Sequence, residues 1–160
     1  MIDLSNSSPF ASGGNRDCYE HPTNPNVCIK VTKSGILENI RKNKAWYKRL
    51  RSTKSFDDNL REESAYKQSA ISSPLDSTIW EHLAKWHGMI DTNLGQASET
   101  ELIKNDNEIA ETLESYLFRE GLTEEIKVAI SIFETWLRKH RVLTKNIIPH
   151  NIVLKKMGAS

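Results

Sequence analysis

Cys18, His21 and Cys28 could supply three zinc ligands. No fourth ligand follows at a usual spacing, so the two cysteines read as buried free thiols rather than as a metal site. His82 and His87 lie five positions apart, which turns them off a shared helical face. With no third ligand beside them, both read as structural or surface residues. Lys30 offers a different chemistry. In Val27-Cys28-Ile29-Lys30-Val31 the alternation puts Val27, Ile29 and Val31 on one face and Cys28 and Lys30 on the other. Lys30 can then face a cleft while the aliphatic side chains pack. Further on, Arg41, Lys42, Lys44, Lys48, Arg49, Arg51 and Lys54 form a basic stretch over 41–54. Such a stretch can bind phosphates or acidic surfaces, and more commonly it is a solvated helix face.

These residues need elements to position them. The first third reads as strands and turns. A turn-rich stretch with Gly13 and Gly14 comes first, then a short strand over 17–20, a breaker cluster from His21 to Asn26, and the alternating strand 27–31. A helical pattern starts near Ile36, with Ile36, Leu37, Ile40, Tyr47 and Leu50 on one broad apolar face. A second helix runs from Asp57 or Asp58 to about Ser69, its aspartates favouring the N-terminus. Strands are expected over 85–92 and 97–104 around Asn93-Leu94-Gly95, and a short helix over 109–117. The clearest helix is 123–140: Thr123 caps it, acids fill its first turn, and Arg138, Lys139 and His140 close it. Its stripe of Ile126, Ile130, Phe133 and Leu137 is widened by Val128, Ile132 and Trp136, which predicts a centrally covered helix or a contact with a partner or a second copy. The tail reads as strand 142–144, polar loop 146–151 and strand 152–154.

Composition narrows the classes. The chain has 160 residues, of which 27% are charged and 38% apolar, enough for one ordinary globular domain. Twenty-two basic residues against 21 acidic give a net charge of +1, so charge alone names no nucleic-acid or membrane partner. No window approaches ~18 consecutive apolar residues, so no membrane helix is expected. The first twelve residues lack the basic start and apolar run of a secretory signal, which predicts a cytoplasmic protein.

The order of elements, together with several short motifs, resembles a protein kinase-like fold and, more closely, the bacterial YrbL family of PhoP regulatory network proteins. The resemblance covers most of the chain. It rests on Ser8-Pro9 followed by Gly13, on Arg16, Cys18-Tyr19 and His21-Pro22, and on Cys28-Ile29-Lys30-Val31. Glu63 before Tyr66, His87-Gly88 with Thr92 and Gly95, and the stretch 142–154 continue it. The fold so implied is α+β: an antiparallel-sheet N-lobe with helices over 1–104, then an incomplete helical C-lobe over 105–160.

The resemblance implies roles. Gly13 and Gly14 would cover nucleotide phosphates with backbone N–H groups, or else form a plain hairpin turn. Lys30 would contact the α and β phosphates of ATP and pair with Glu63 on the following helix, with Glu62 pointing about 100° elsewhere. Backbone groups at Glu101 and Ile103 would meet the adenine. Asn151 would bind Mg²⁺, and Asn146, four intervening residues earlier, occupies the catalytic-base position. An amide has no carboxylate to accept a proton, and no Asp or Glu follows Glu134 to supply the second metal ligand. The expected function is thus a YrbL-like kinase-fold regulatory protein that can bind ATP and is not competent for transfer as this chain. The alternatives are an ATP-dependent phosphotransferase and a non-enzymatic interaction module using helix 41–54. Nucleic acid is not an expected partner.

Overall fold

The computed structural model describes residues 1–49, 52–72, 77–144 and 146–156. Leu50 and Arg51 of the expected basic helix, and residues 157–160, lie outside the described residues. The chain is mixed α+β, and it divides into two compact units: Met1–Gln68 with Lys85–Leu102, and Ser69–Ala84 with Ile103–Ser160.

The first unit is an antiparallel sheet of β1 (Ala11–Ser12), β2 (Arg16–His21), β3 (Asn24–Thr32), β4 (Trp86–Thr92) and β5 (Gly95–Glu101), in the order β1-β2-β3-β5-β4. Alternation along the strands sorts the side chains to two faces. On one face Tyr19 opposes Ile29 and Val31 opposes Ala97, and these four pack with Leu4 into the core. On the other face Cys18 opposes Lys30, which opposes Ser98. Val27, Ile29 and Val31 are buried on the core side as the alternation predicts.

Three helices accompany the sheet: α1 (Ile36–Lys42), α2 (Trp46–Arg49) and α3 (Asp58–Tyr66). The single helix expected from Ile36 onward is interrupted. Asn43, a poor helix former, caps α1 through its backbone N–H to the Asn39 carbonyl. No residue of α1 is fully buried, and Trp46 and Tyr47 stand exposed, edge to face at 6.1 Å. The broad apolar face expected there is therefore not a core face. α3 begins as the aspartates predict, with the Asp57 side chain accepting from the Asn59 N–H.

The second unit holds α4 (Ser69–Ser72), a 3₁₀ turn at Ser77–Glu81, the short hairpin of β6 (Lys104–Asn105) and β7 (Glu108–Ile109), α5 (Leu113–Glu120) and α6 (Glu124–His140). Asp106 and Asn107 turn that hairpin with φ of 53° and 72°, as a two-residue turn of this hand requires. The helix expected over 109–117 starts later because Ile109 joins β7 and Thr112 caps α5, accepting from the Ser115 N–H at 3.1 Å. Residues 77–82, expected in the first lobe, group with this unit. Trp136 Nε1 donates to the Thr78 carbonyl at 3.0 Å, and the His82 ring lies 5.5 Å from that of Trp136. His82 and His87 are both exposed, and His82 lays its ring against Trp136.

Thr123 caps α6 and Arg138, Lys139 and His140 close it, as expected. Its buried side is carried by Ile126 and Trp136, with Phe133 stacked on Trp136 at 5.8 Å. Ile130, expected in the packed stripe, is exposed together with Val128 and Ile132. The tail forms no strand over 142–144. Arg141 takes a left-handed conformation that ends the helix, and residues 152–154 instead lie beside 111–113 through Leu113 N–H to Ile152 O and Leu154 N–H to Glu111 O. No helix among the described residues is long and apolar enough to cross a membrane.

Candidate functional site

The polar face of the first unit's sheet carries a part-buried cluster of charge. Lys30 projects from β3, Arg16 from the start of β2 and Glu62 from α3. Lys30 Nζ donates to Glu62 Oε1 at 2.6 Å, and Arg16 Nη1 donates to Glu62 Oε2 at 2.7 Å. Ser98 Oγ adds a bond to the same Oε2 at 3.2 Å, and itself accepts from Trp86 Nε1 at 3.0 Å. Burial alone would push the Glu62 carboxyl up, but Lys30 and Arg16 beside it outweigh burial and hold it below its ordinary value of 4.5. One carboxylate thus serves two cations, leaving a net positive charge on a face only partly open to water.

The helix face explains why the partner is Glu62. Asn59, Glu62 and Tyr66 recur at i, i+3 and i+7, so they lie on one side of α3. Asn59 is fully buried: its amide donates to the Lys30 carbonyl at 3.0 Å and its oxygen accepts from Arg16 at 3.1 Å. Tyr66 stacks on Trp86 at 6.0 Å, and burial pushes its phenol well above the usual range. The expectation that Glu63 pairs with Lys30 is corrected. Glu63 is rotated one residue away and pairs with Lys67 at 2.7 Å along the helix. Asn59 and Arg16 were not foreseen as parts of this cluster. The stripe Asn59–Glu62–Tyr66 was the signal that could have found both Asn59 and the right glutamate.

The remaining candidates fall into several places. Gly13 lies in the hairpin turn joining β1 to β2, where its N–H donates to the Arg16 carbonyl at 2.9 Å and its own carbonyl accepts from Lys33 Nζ at 2.7 Å. Neither Gly13 nor Gly14 takes a positive φ, and a Cβ at Gly14 would meet nothing within 4 Å. The segment is a hairpin turn that needs glycine for neither conformation nor space. The Glu101 N–H already donates to the Lys85 carbonyl at 2.8 Å. The Ile103 carbonyl accepts from the Ala110 N–H at 3.0 Å. In the second unit, Asn151 closes a small loop by donating through Nδ2 to the Asn146 carbonyl at 3.2 Å. Asn146 and Asn151 are therefore brought together, through the backbone of the first and the amide nitrogen of the second. His150, beside them, has Nδ1 3.9 Å from Glu114 Oε1.

Both cysteines are free thiols on the Lys30 face, Cys18 opposite Lys30 and Cys28 two residues before it on β3. His21 turns to other partners: its Nδ1 accepts from the Thr23 N–H at 3.1 Å and its Nε2 lies 3.7 Å from Glu99. Among the described residues no group of His, Cys, Asp and Glu is placed to hold a metal ion.

An antiparallel sheet backed by a helix whose glutamate bridges a strand lysine and a strand arginine defines an α+β protein with one charged face. Over residues 2–160 the chain matches the family described as PhoP regulatory network protein YrbL, and it belongs to that family. It is similar to the protein YrbL of Escherichia coli (strain K12) and to that of Shigella flexneri. Each is 23% identical over 168 aligned residues, which take in 100% of this chain and 69% of the relative.

Proposed function

We propose that this YrbL-family chain is a regulatory module of kinase-like fold that binds ATP through its phosphates, with Lys30 and Arg16 as the phosphate-facing cations. The observation that carries the reading is the sharing of Glu62 by Lys30 and Arg16 at 2.6 and 2.7 Å. A single carboxylate orients two cations and leaves one positive charge uncompensated, the arrangement a polyphosphate would complete. The residues present fit such a group: an ammonium and a guanidinium, each partly open to water, both held by Glu62, with Asn59 bonded to Arg16 and Ser98 to Glu62. Bound Mg²⁺ would screen the phosphate charge. Proton abstraction from a substrate is not assigned, because Asn146 offers a neutral amide there.

Thermal melting tests the reading. A ligand that binds only the native state stabilises it by about 2.7 kcal/mol at a hundred times its Kd. Millimolar ATP with Mg²⁺ is expected to raise the melting temperature of the wild type and to leave Lys30→Met unmoved. Equal response of both proteins, or of neither, sinks the assignment.

A further inference from the structure

Helix α6 carries a seam that its own unit leaves open. Glu125, Val128, Ile132, Thr135 and Lys139 recur at i, i+3, i+7, i+10 and i+14, the spacing of a coiled-coil stripe, so they share one side of the helix. All five are exposed, Val128 by 59% and Ile132 by 54%. Beside the C-terminal half of the seam lies an open groove of about 300 Å³. Ile132, Trp136, Lys139 and His140 line it from the helix, and Thr78 and His82 from the segment 77–82. Glu81 is the acid in that lining. Lys139 Nζ donates to Thr78 Oγ1 at 3.3 Å. An ammonium has three N–H donors, so a carboxylate can join that bond.

The seam is also ordered by charge. Glu125 lies seven residues before Ile132, and Lys139 seven after it. At about 1.5 Å per residue, each stands roughly 10 Å from the centre. Glu124 and Glu125 fill the first turn of the helix, and Arg138, Lys139 and His140 the last. A helix with that order complements a second copy of itself in the antiparallel direction. A parallel pair would set acid on acid and base on base.

We propose that the Val128–Ile132 face of α6 is the interface of a two-fold homodimer, in which α6 of a second copy crosses antiparallel at Ile132. Under that axis, positions equally far on either side of Ile132 meet. Glu125 of each copy reaches Lys139 of the other, and Val128 of each enters the other's groove beside Trp136. The aliphatic side chains leave water, which supplies affinity, while the two Glu–Lys pairs fix direction and register. A single helix pair stays below the roughly 800 Å² per partner of a standard interface, so a micromolar Kd is expected. The proposal concerns the second unit alone, and its failure leaves the Lys30–Glu62 reading untouched.

Sedimentation velocity of the full chain, from low micromolar to several hundred micromolar, tests it, with circular dichroism to check folding. Wild type is expected to pass reversibly from monomer to dimer. Ile132→Glu sets two like charges on the axis at an exposed position, and should stay folded and monomeric. Glu125→Lys or Lys139→Glu alone reverses two pairs per dimer and should weaken association roughly tenfold at low salt. The two charge-reversed proteins mixed, or both changes in one chain, should recover it. A wild type that stays monomeric throughout overturns the proposal. So does an Ile132→Glu protein that still dimerises, or two charge reversals that do not rescue each other.

Discussion

Lys30 Nζ and Glu62 Oε1 sit 2.6 Å apart, while Glu63, the very next residue, bonds to Lys67 on another side of the helix. One position along α3 decides whether a carboxylate belongs to the sheet or to the surface. The deciding groups are Asn59 and Tyr66, which fix the helix face by a buried bond to the Lys30 carbonyl and a ring stack on Trp86.

The two glutamates should therefore behave differently when removed. Glu62→Ala leaves Lys30 and Arg16 partly buried without their carboxylate and is expected to cost about 2 kcal/mol of stability, below the range for fully buried pairs because water reaches these groups. Glu63→Ala removes only an exposed i,i+4 pair and should change stability by less than about 0.5 kcal/mol. Urea denaturation of the full chain checks both. Equal losses would mean that the cluster does not hold α3 to the sheet.

The same cluster sets a pH dependence. The Glu62 carboxyl lies below its ordinary 4.5 in the folded protein, so its contribution to stability is fully present above that value and is lost as the pH falls through the folded value. Acidification from about pH 6 towards pH 3 should lower the melting temperature of the wild type more steeply than that of Glu62→Gln, which has no proton to take up there. Parallel curves for the two proteins would contradict this sign.

Strand alternation exposed much of this arrangement in advance. It placed Lys30 opposite the core face of β3, and the breaker clusters marked the turns around β2, β3, β4 and β5. The caps at Asp57 and Thr123 were also legible, because a helix start is chosen by local hydrogen bonds. What escaped was tertiary. Tyr47 was grouped with the apolar stripe near Ile36, but Asn43 interrupts the helix and Tyr47 stands exposed. Ile130 and Trp136 exchanged roles on α6, because both sides of that helix are apolar and only the 77–82 segment packing against it selects one. Glu62 and Glu63 could be separated only by knowing which face of α3 meets the sheet.

Asn59 is the tightest fastening of α3. Its side chain is fully buried and bonds to the Lys30 carbonyl, to Thr32 Oγ1 at 3.3 Å and to Arg16. Asn59→Leu removes these bonds and leaves the part-buried Lys30 carbonyl, Thr32 hydroxyl and Arg16 guanidinium without them, an unmet buried group costing about 1–3 kcal/mol. A loss of at least about 2 kcal/mol is expected in the same urea titration. Amide hydrogen exchange should also quicken along α3 more than along α6. A neutral substitution would show that the buried amide is replaceable by packing alone.

Cys18 carries the last prediction. The hydrogen bond from Cys28 lowers its thiol most, burial works against it, and Lys30 and Arg16 lower it further, so that it falls from 9.0 to about 7. The adjacent Cys18 and then burial push the Cys28 thiol far above the usual range. At neutral pH a large share of Cys18 is then thiolate while Cys28 stays protonated. Alkylation by iodoacetamide in the native chain should modify Cys18 first, with a rate that reaches half its plateau near pH 7. Cys28→Ala takes away the donor that stabilises the thiolate, so the midpoint should rise, and Lys30→Met should raise it too by removing a positive charge. Well below the midpoint each unit of rise lowers the thiolate fraction, and hence the initial rate, about tenfold. A midpoint that stays put in both variants would separate the reactivity of Cys18 from the groups that surround it.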